Sequence, residues 1–267
     1  MNILIVGALG QLGSDLVREF SGENVIAYDI EEMDITDEAR VQQQIAFTSC
    51  DIVINTAAFT RVDECEREQM EAFRVNALGV KNLAAACKRW DLPLVHISTN
   101  YIFGGEKPAP YTEEDPPGPV NAYGLTKLAG EYYLQYTWRK HYIIRVAGLF
   151  GLTPSRMKGT NFVEAMLRLG ERGTPLRIVA DEYLSPTSAR DAAKHIKADP
   201  DQVPRATRNP ANDRKTRGVR THGFSATGVA SSDEMHRARC LQPYQLASTS
   251  NSRRWVYSSR PSRSSRN

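Results

Sequence analysis

"NILIVGALGQLGSDLVREF", residues 2–20, begins with an apolar run, passes through glycines at positions 7, 10 and 13, and continues with apolar residues at helical spacing. A short unbroken apolar run fits a strand buried on both faces, and the later spacing fits an amphipathic helix. The glycines between them, G-x-x-G-x-x-G, allow a tight turn. They also let backbone N–H groups approach a pyrophosphate at the helix N-terminus, where the helix dipole favours an anion. The next apolar run, "NVIAY", ends at Asp29. A carboxylate there can accept hydrogen bonds from the ribose hydroxyls of NAD and would repel the extra phosphate of NADP. Strand, glycine turn, helix and acid together point to a dinucleotide site, with Asp29 leaning toward NADH over NADPH.

Working outward, "DIVIN" at 51–55, "LPLVHI" at 92–97 and "YIIRV" at 142–146 read as further buried strands. Segments at 11–20, 37–46, 68–90 and 122–138 carry helical spacing with few breakers. Alternating strands and helices predict an α/β chain, a Rossmann-type doubly wound parallel sheet with right-handed crossovers. Ligands of such sheets bind at the carboxyl ends of the strands.

The apolar start of this 267-residue chain is too short for a signal-peptide core, and no stretch is long enough to span a bilayer, so a soluble cytoplasmic protein is expected. Cys50, Cys65, Cys87 and Cys240 are scattered, and His195, His222 and His236 add no ligand spacing, so no metal is expected. The net charge of +3 conceals an asymmetry. Residues 1–198 hold 21 Lys and Arg against 26 Asp and Glu, whereas residues 199–267 hold 13 against 5, and 12 of those 13 are Arg. The composition therefore sets an Arg/Ser-rich tail at 199–267 apart from the rest of the chain.

"NAYGLTKLAGE", residues 121–131, places Tyr123 four residues before Lys127 on a predicted helix, hence on one face. Bringing a phenol pKa from about 10 to about 7 needs roughly 4 kcal/mol of phenolate stabilisation. An ammonium about 5 Å away at an effective dielectric near 20 supplies roughly 3 kcal/mol of it. Downstream of a dinucleotide motif, the pair is a candidate proton donor to a carbonyl undergoing reduction. Lys127 is expected to lower the Tyr123 pKa.

At this point the sequence resembles the extended short-chain dehydrogenases/reductases, and within them the dTDP-4-dehydrorhamnose reductases. The resemblance runs from Met1 to Lys197. "GALGQLG", with Gly7, Gly10, Gln11, Leu12 and Gly13, looks like the family's cofactor loop. "MDITD" resembles the stretch whose Asp-Ile pair, here Asp34 and Ile35, lies by the adenine, and "NTAAFTRVDECE" the segment whose small residues, here Ala57 and Ala58, let the cofactor pass. "RVNALGVKNLA" carries Asn76, Gly79 and Asn82 of the broader pattern, and "STNYIFGG" places Thr99 where the superfamily has its catalytic Ser or Thr.

The resemblance implies hydride transfer from NADH or NADPH to a nucleotide-linked 4-keto-6-deoxy sugar. Tyr123 would be the proton donor, Thr99 would orient the carbonyl, Lys127 would lower the Tyr123 pKa and hold the ribose, and Thr99, Asn100 and Tyr101 would face the substrate. It also implies a homodimer, while nucleic acid and membrane are not expected partners. A nucleotide-sugar epimerase or dehydratase of the same superfamily is an alternative. So is a non-catalytic dinucleotide-binding subunit resembling the β-subunit of methionine adenosyltransferase. The sequence departs from the family at Asn100, a neutral amide in place of a carboxylate, at Gly148 in place of a Trp, and at Leu184 in place of a Gly. The resemblance also implies a dinucleotide-binding domain at 1–150 and the start of a substrate-binding domain at 151–198, which residues after "SPT" complete in the family. Here residues 199–267 lack periodicity and hold too few apolar residues for a core. A reading-frame slip in a high-GC gene would give such a composition; the alternative is a genuine basic tail that binds nucleic acid or an acidic surface.

Overall fold

The computed structural model describes residues 1–107, 109–153, 159–173 and 185–198. Five strands, β1 (Asn2–Val6), β2 (Asn24–Tyr28), β3 (Ile52–Asn55), β4 (Leu94–Thr99) and β5 (His141–Val146), form one parallel sheet in the order β2-β1-β3-β4-β5. The central strands β3 and β4 are buried along their whole length, which is why they read as near-continuous apolar runs. β2 lies at an edge and is partly exposed.

Alternate residues along each strand feed two separate cores. Ile3, Ile5, Ile52, Ile54, Val95, Ile97 and Ile144 pack with Leu12, Leu16 and Phe20 from α1 (Gln11–Glu19) and the residue after it. Leu4, Val6, Val53, Leu94 and Ile143 point to the opposite face. There they meet α2 (Glu38–Thr48), α5 (Val80–Arg89) and α6 (Ala122–Thr137). Helices cover both faces, as the alternation of short apolar and amphipathic runs predicts. The chain passes from β1 to β2 on one side, then returns to β3 on the other side of β1. The carboxyl ends of β1 and β3 therefore flank the switch point where such sheets take ligands.

The segment at 68–90, read from sequence as one helical stretch, divides into α4 (Gln69–Phe73), a π-helical turn (Arg74–Gly79) and α5. A short helix, α3 (Val62–Cys65), precedes it. Beyond β5, a two-stranded parallel pair, β6 (Leu149–Phe150) with β7 (Thr187–Ser188), accompanies α7 (Phe162–Glu171) and α8 (Ala189–Ala198).

α8 falls in the part that the resemblance assigns to the substrate domain, yet Ala189, Ala192, Ala193 and Ile196 pack into the core with α1. Its apolar side chains repeat at helical spacing and complete the core on one face of the five-stranded sheet, so that core extends to Ile196. Residues 199–267 lie outside the described residues. Among the described residues, no helix is long and apolar enough to cross a membrane, and no cluster of His, Cys, Asp and Glu could hold a metal ion.

Candidate active site

The glycine turn joins β1 to α1 at the switch point. Gly7 has φ +77°, and a Cβ built on it would lie 2.7 Å from the Ala57 nitrogen; one on Gly13 would lie 2.2 Å from the Gly7 oxygen. The turn thus presses against the Ala57 backbone at a distance that only glycine permits. No side chain caps the start of α1, and its first turn contains no acid. Its leading N–H groups carry the partial positive charge of a helix N-terminus without an internal anion to meet it. A pyrophosphate fits this cradle.

Asp29 stands directly beside the turn. Its Oδ2 accepts from the Leu9 N–H at 3.0 Å and its Oδ1 from the Ile30 N–H at 2.9 Å, so the carboxylate helps to shape the loop. Ala57 and Ala58 follow β3, and the Ala57 N–H donates to Asn55 Oδ1 at 3.0 Å. Asp34 Oδ1 accepts from both the N–H and the hydroxyl of Thr36, at 2.9 and 2.8 Å, and Asn82 Nδ2 donates to the Ile35 oxygen at 3.0 Å. The loop after β2 is thereby fixed to α5. Gln11 and Leu12 occupy the first two positions of α1, Leu12 in the core and Gln11 with its Nε2 buried and without a hydrogen-bond partner among the described residues.

On the other side of the switch point, β4 ends at Thr99, which is 4% exposed. Its Oγ1 accepts from the Tyr101 N–H at 3.2 Å and donates to Asn100 Oδ1 at 3.4 Å. α6 is capped by Asn121, whose Oδ1 accepts from the Gly124 N–H at 2.7 Å, and Tyr123 occupies its first turn. A Cβ on Gly124 would lie 2.1 Å from the Tyr101 oxygen, so a bare helix face lets α6 descend onto Tyr101. The Tyr101 and Tyr123 rings meet edge to face at 5.6 Å, and the Thr99 side chain lies near enough to the Tyr123 hydroxyl to favour its ionised form. Thr99, Asn100, Tyr101 and Tyr123 therefore converge at the carboxyl end of β4.

Lys127 follows one turn later and is 1% exposed. Its Nζ donates to the Ile97 carbonyl at 2.7 Å and lies 3.4 Å from His96 Nε2. Burial lowers its pKa to about 8, partly countered by Glu131. The sequence-based expectation that Lys127 depresses the Tyr123 pKa is corrected here: crowding by protein around the half-buried Tyr123 pushes the phenol above its ordinary value, with only the nearby Thr99 side chain opposing it. The Lys127 ammonium is held instead by the Ile97 carbonyl of β4.

Sequence reasoning missed a polar layer between the sheet and α6. Asn55, His96, Ser98, Lys127, Glu131 and Arg145 are all buried, on the face from which α6 approaches. Glu131 and Arg145 form a two-pronged ion pair at 2.7 and 3.0 Å. Arg145 Nη1 and Ser98 Oγ, in register across β4 and β5, are buried without a hydrogen-bond partner among the described residues. Polar residues interrupting strands that otherwise read as fully buried, and the i, i+4, i+8 series Tyr123, Lys127, Glu131, carried the signal.

A five-stranded parallel sheet, an uncapped glycine turn at its switch point, and a Tyr and Lys one turn apart beside a strand-end Thr define a Rossmann-type fold of the short-chain dehydrogenase/reductase class. Within that class, the chain belongs to the dTDP-4-dehydrorhamnose reductase family: the family model described as RmlD substrate binding domain matches residues 1–239, past the compositional break at Asp199. The spore coat polysaccharide biosynthesis protein SpsK of Bacillus subtilis is 39% identical over 196 residues, 73% of this chain and 68% of that protein. A dTDP-4-dehydrorhamnose reductase of Mycolicibacterium smegmatis is 41% identical over 192 residues, 71% of this chain and 57% of that enzyme. The chain thus spans 57% to 68% of the length of these two curated relatives.

Among solved structures, a dTDP-4-dehydrorhamnose reductase from Clostridium acetobutylicum aligns with a TM-score of 0.69 and 41% identity, covering 74% of this chain and 69% of that one. A Bacillus anthracis dTDP-4-dehydrorhamnose reductase in complex with NADP aligns with a TM-score of 0.69 and 37% identity, covering 73% and 69%.

Proposed function

We propose that the chain reduces the keto group of a nucleotide-linked 4-keto-6-deoxy sugar with a nicotinamide dinucleotide. The observation that carries this reading is the convergence of Thr99 and Tyr123 at the end of β4, above a buried Lys127 and across the sheet edge from the uncapped glycine turn. When bound, the dinucleotide supplies a hydride to the keto carbon. The chain's own residues manage the oxygen. Thr99 hydrogen-bonds and orients the carbonyl, and Tyr123 gives its proton to that oxygen as negative charge develops. A phenol with a raised pKa remains protonated through the physiological range, as an acid must before the reaction. Lys127, mostly protonated at neutral pH and one helical turn beyond the phenol, offers an N–H to the ribose.

Gly7, Gly10, Gln11, Leu12 and Gly13 hold the diphosphate, Asp34 and Ile35 lie by the adenine, and Ala57 and Ala58 leave room for the cofactor beside β3. Asp29 takes the ribose hydroxyls and favours NADH, although the relative from Bacillus anthracis was crystallised with NADP, so both cofactors belong in the test. Asn100 and Tyr101 face the sugar. Asn100 as an amide and Gly148, an exposed residue with φ +46°, give the sugar pocket a surface unlike that of the reductases the sequence resembles; Leu184 lies outside the described residues. A cytoplasmic homodimer completes the proposal.

The test is oxidation of NADH and NADPH by the purified full-length chain with a dTDP-4-keto-6-deoxy sugar, followed by nicotinamide absorbance. Tyr123→Phe is expected to reduce turnover by at least about 100-fold while leaving cofactor affinity within about twofold. An unchanged rate would overturn the assignment. Cofactor binding without turnover, accompanied by a stoichiometric protein partner, would replace it with the regulatory reading.

A further inference from the structure

Asn55, His96 and Lys127 form a line from the cofactor loop to the reaction site, and their exposures of 0%, 0% and 1% shut it off from solvent. The backbone fixes its polarity. Asn55 Oδ1 takes the Ala57 N–H at 3.0 Å, so the amide NH₂ is the group that faces His96 Nδ1 at 3.1 Å. Nδ1 must then accept. A neutral imidazole has one N–H, which leaves the proton on Nε2, 3.4 Å from Lys127 Nζ.

An Nε2–H facing an ammonium is a donor facing a donor, whereas facing a neutral amine it has a lone pair to meet. The surroundings keep His96 neutral, since burial comes first and the charge of Lys127 second in opposing the imidazolium. The other ionisable groups near this line are accounted for. Glu131, one turn along α6, favours the ammonium but is itself paired with Arg145 of β5; His141 of β5 acts on His96; Tyr123 stands one turn before Lys127, with Cys65 of α3 near the phenol.

We propose that His96 is a positioning residue for Lys127: its tautomer, set by Asn55, opposes the ammonium and, with the Ile97 carbonyl, fixes where Nζ sits beneath Tyr123. The proposal rests on the catalytic reading of Lys127. It makes Asn55 the link between the cofactor loop, through Ala57, and the charge state of the lysine. A disturbance of that loop reaches Lys127 through two hydrogen bonds and one ring.

Nitrogen-15 NMR of the labelled full-length chain reads the His96 tautomer directly, and carbon-13 labelling of lysine at Cε reads the Lys127 titration. The expected wild-type result is a neutral imidazole protonated at Nε2; protonation at Nδ1, or an imidazolium at neutral pH, would overturn the proposal. Asn55→Leu removes the donor to Nδ1 and frees Nε2 to accept from the ammonium. The Lys127 midpoint should then rise by at least about one pH unit, a tenfold change in acidity, and the basic limb of the kcat/KM profile should move with it. A Lys127 midpoint that stays in place in a folded Asn55→Leu chain would also overturn it. If that variant does not fold, the wild-type tautomer decides alone. Both spectroscopic results are independent of turnover, so an inactive chain would count against the proposed reductase and leave the His96 inference standing.

Discussion

Asn76 Nδ2 donates to Thr126 Oγ1 at 3.1 Å, joining the π-helical turn before α5 to the first turns of α6. The same amide donates to the Phe59 oxygen at 3.1 Å and accepts from the Phe59 N–H at 2.8 Å, so one fully buried side chain fixes both the loop after β3 and the helix bearing Tyr123. Asn76→Ala leaves these partners unsatisfied and is expected to cost about 2–3 kcal/mol, read as a lower urea midpoint at unchanged slope. Asn76→Asp keeps the acceptor but loses both donations and buries a charge, so it should not restore the midpoint. A midpoint equal to wild type in either variant would show that the π-turn does not depend on this amide.

The Glu131–Arg145 pair, 0% and 7% exposed, is buried between α6 and β5. Removing one partner strands the other charge away from water. Arg145→Met alone should destabilise by about 3–5 kcal/mol, whereas the double variant Glu131→Leu with Arg145→Met should recover much of that loss. Denaturation of the four chains of the cycle measures the coupling directly. Additive losses would mean that the two charges do not depend on one another.

The strands, their order class and the glycine turn were legible because each rests on local pattern: continuous apolar runs for buried strands, helical spacing between them, and glycines where only glycine fits. The packing of α8 on α1 was not legible, because an amphipathic pattern does not report which neighbour its apolar face will meet. Four alanine and isoleucine side chains found α1. The pairing of Tyr123 with Lys127 was legible as spacing, but the direction of the Lys127 side chain was not. That direction depends on the Ile97 carbonyl and on His96, 30 and 31 residues away in sequence. For the same reason the buried polar layer stayed hidden, since each of its members reads in isolation as an ordinary polar residue.

Cofactor binding should be more sensitive to Gly13 than its place one turn inside α1 suggests. A methyl group there would meet the Gly7 oxygen at 2.2 Å, and the turn must open to admit it. Gly13→Ala is expected to weaken NADH or NADPH binding at least about tenfold, which corresponds to about 1.4 kcal/mol. Fluorescence titration gives the affinity, and circular dichroism verifies that the sheet is retained. Wild-type affinity in a folded Gly13→Ala chain would remove the glycine turn from the cofactor site.

Lys127 also makes a prediction about stability and pH, whose sign follows from its pKa of about 8 in the folded chain against 10.5 when exposed. Below about pH 8 the lysine is protonated in both states, and the folded state bears the full cost of a buried ammonium. Between about 8 and 10.5 the unfolded chain binds more protons than the folded one, so this group's contribution to stability rises with pH, by about 3 kcal/mol between the limits. Cys87 and Tyr123 act in the opposite direction, because burial raises their folded pKa values and their contributions fall as pH climbs through their unfolded values. Comparing the chain with Lys127→Met at each pH removes those shared contributions. The difference in unfolding free energy, wild type minus variant, should be flat below pH 8 and climb above it. A difference that stays level to pH 10 would mean that Lys127 is not held in a charge-averse site.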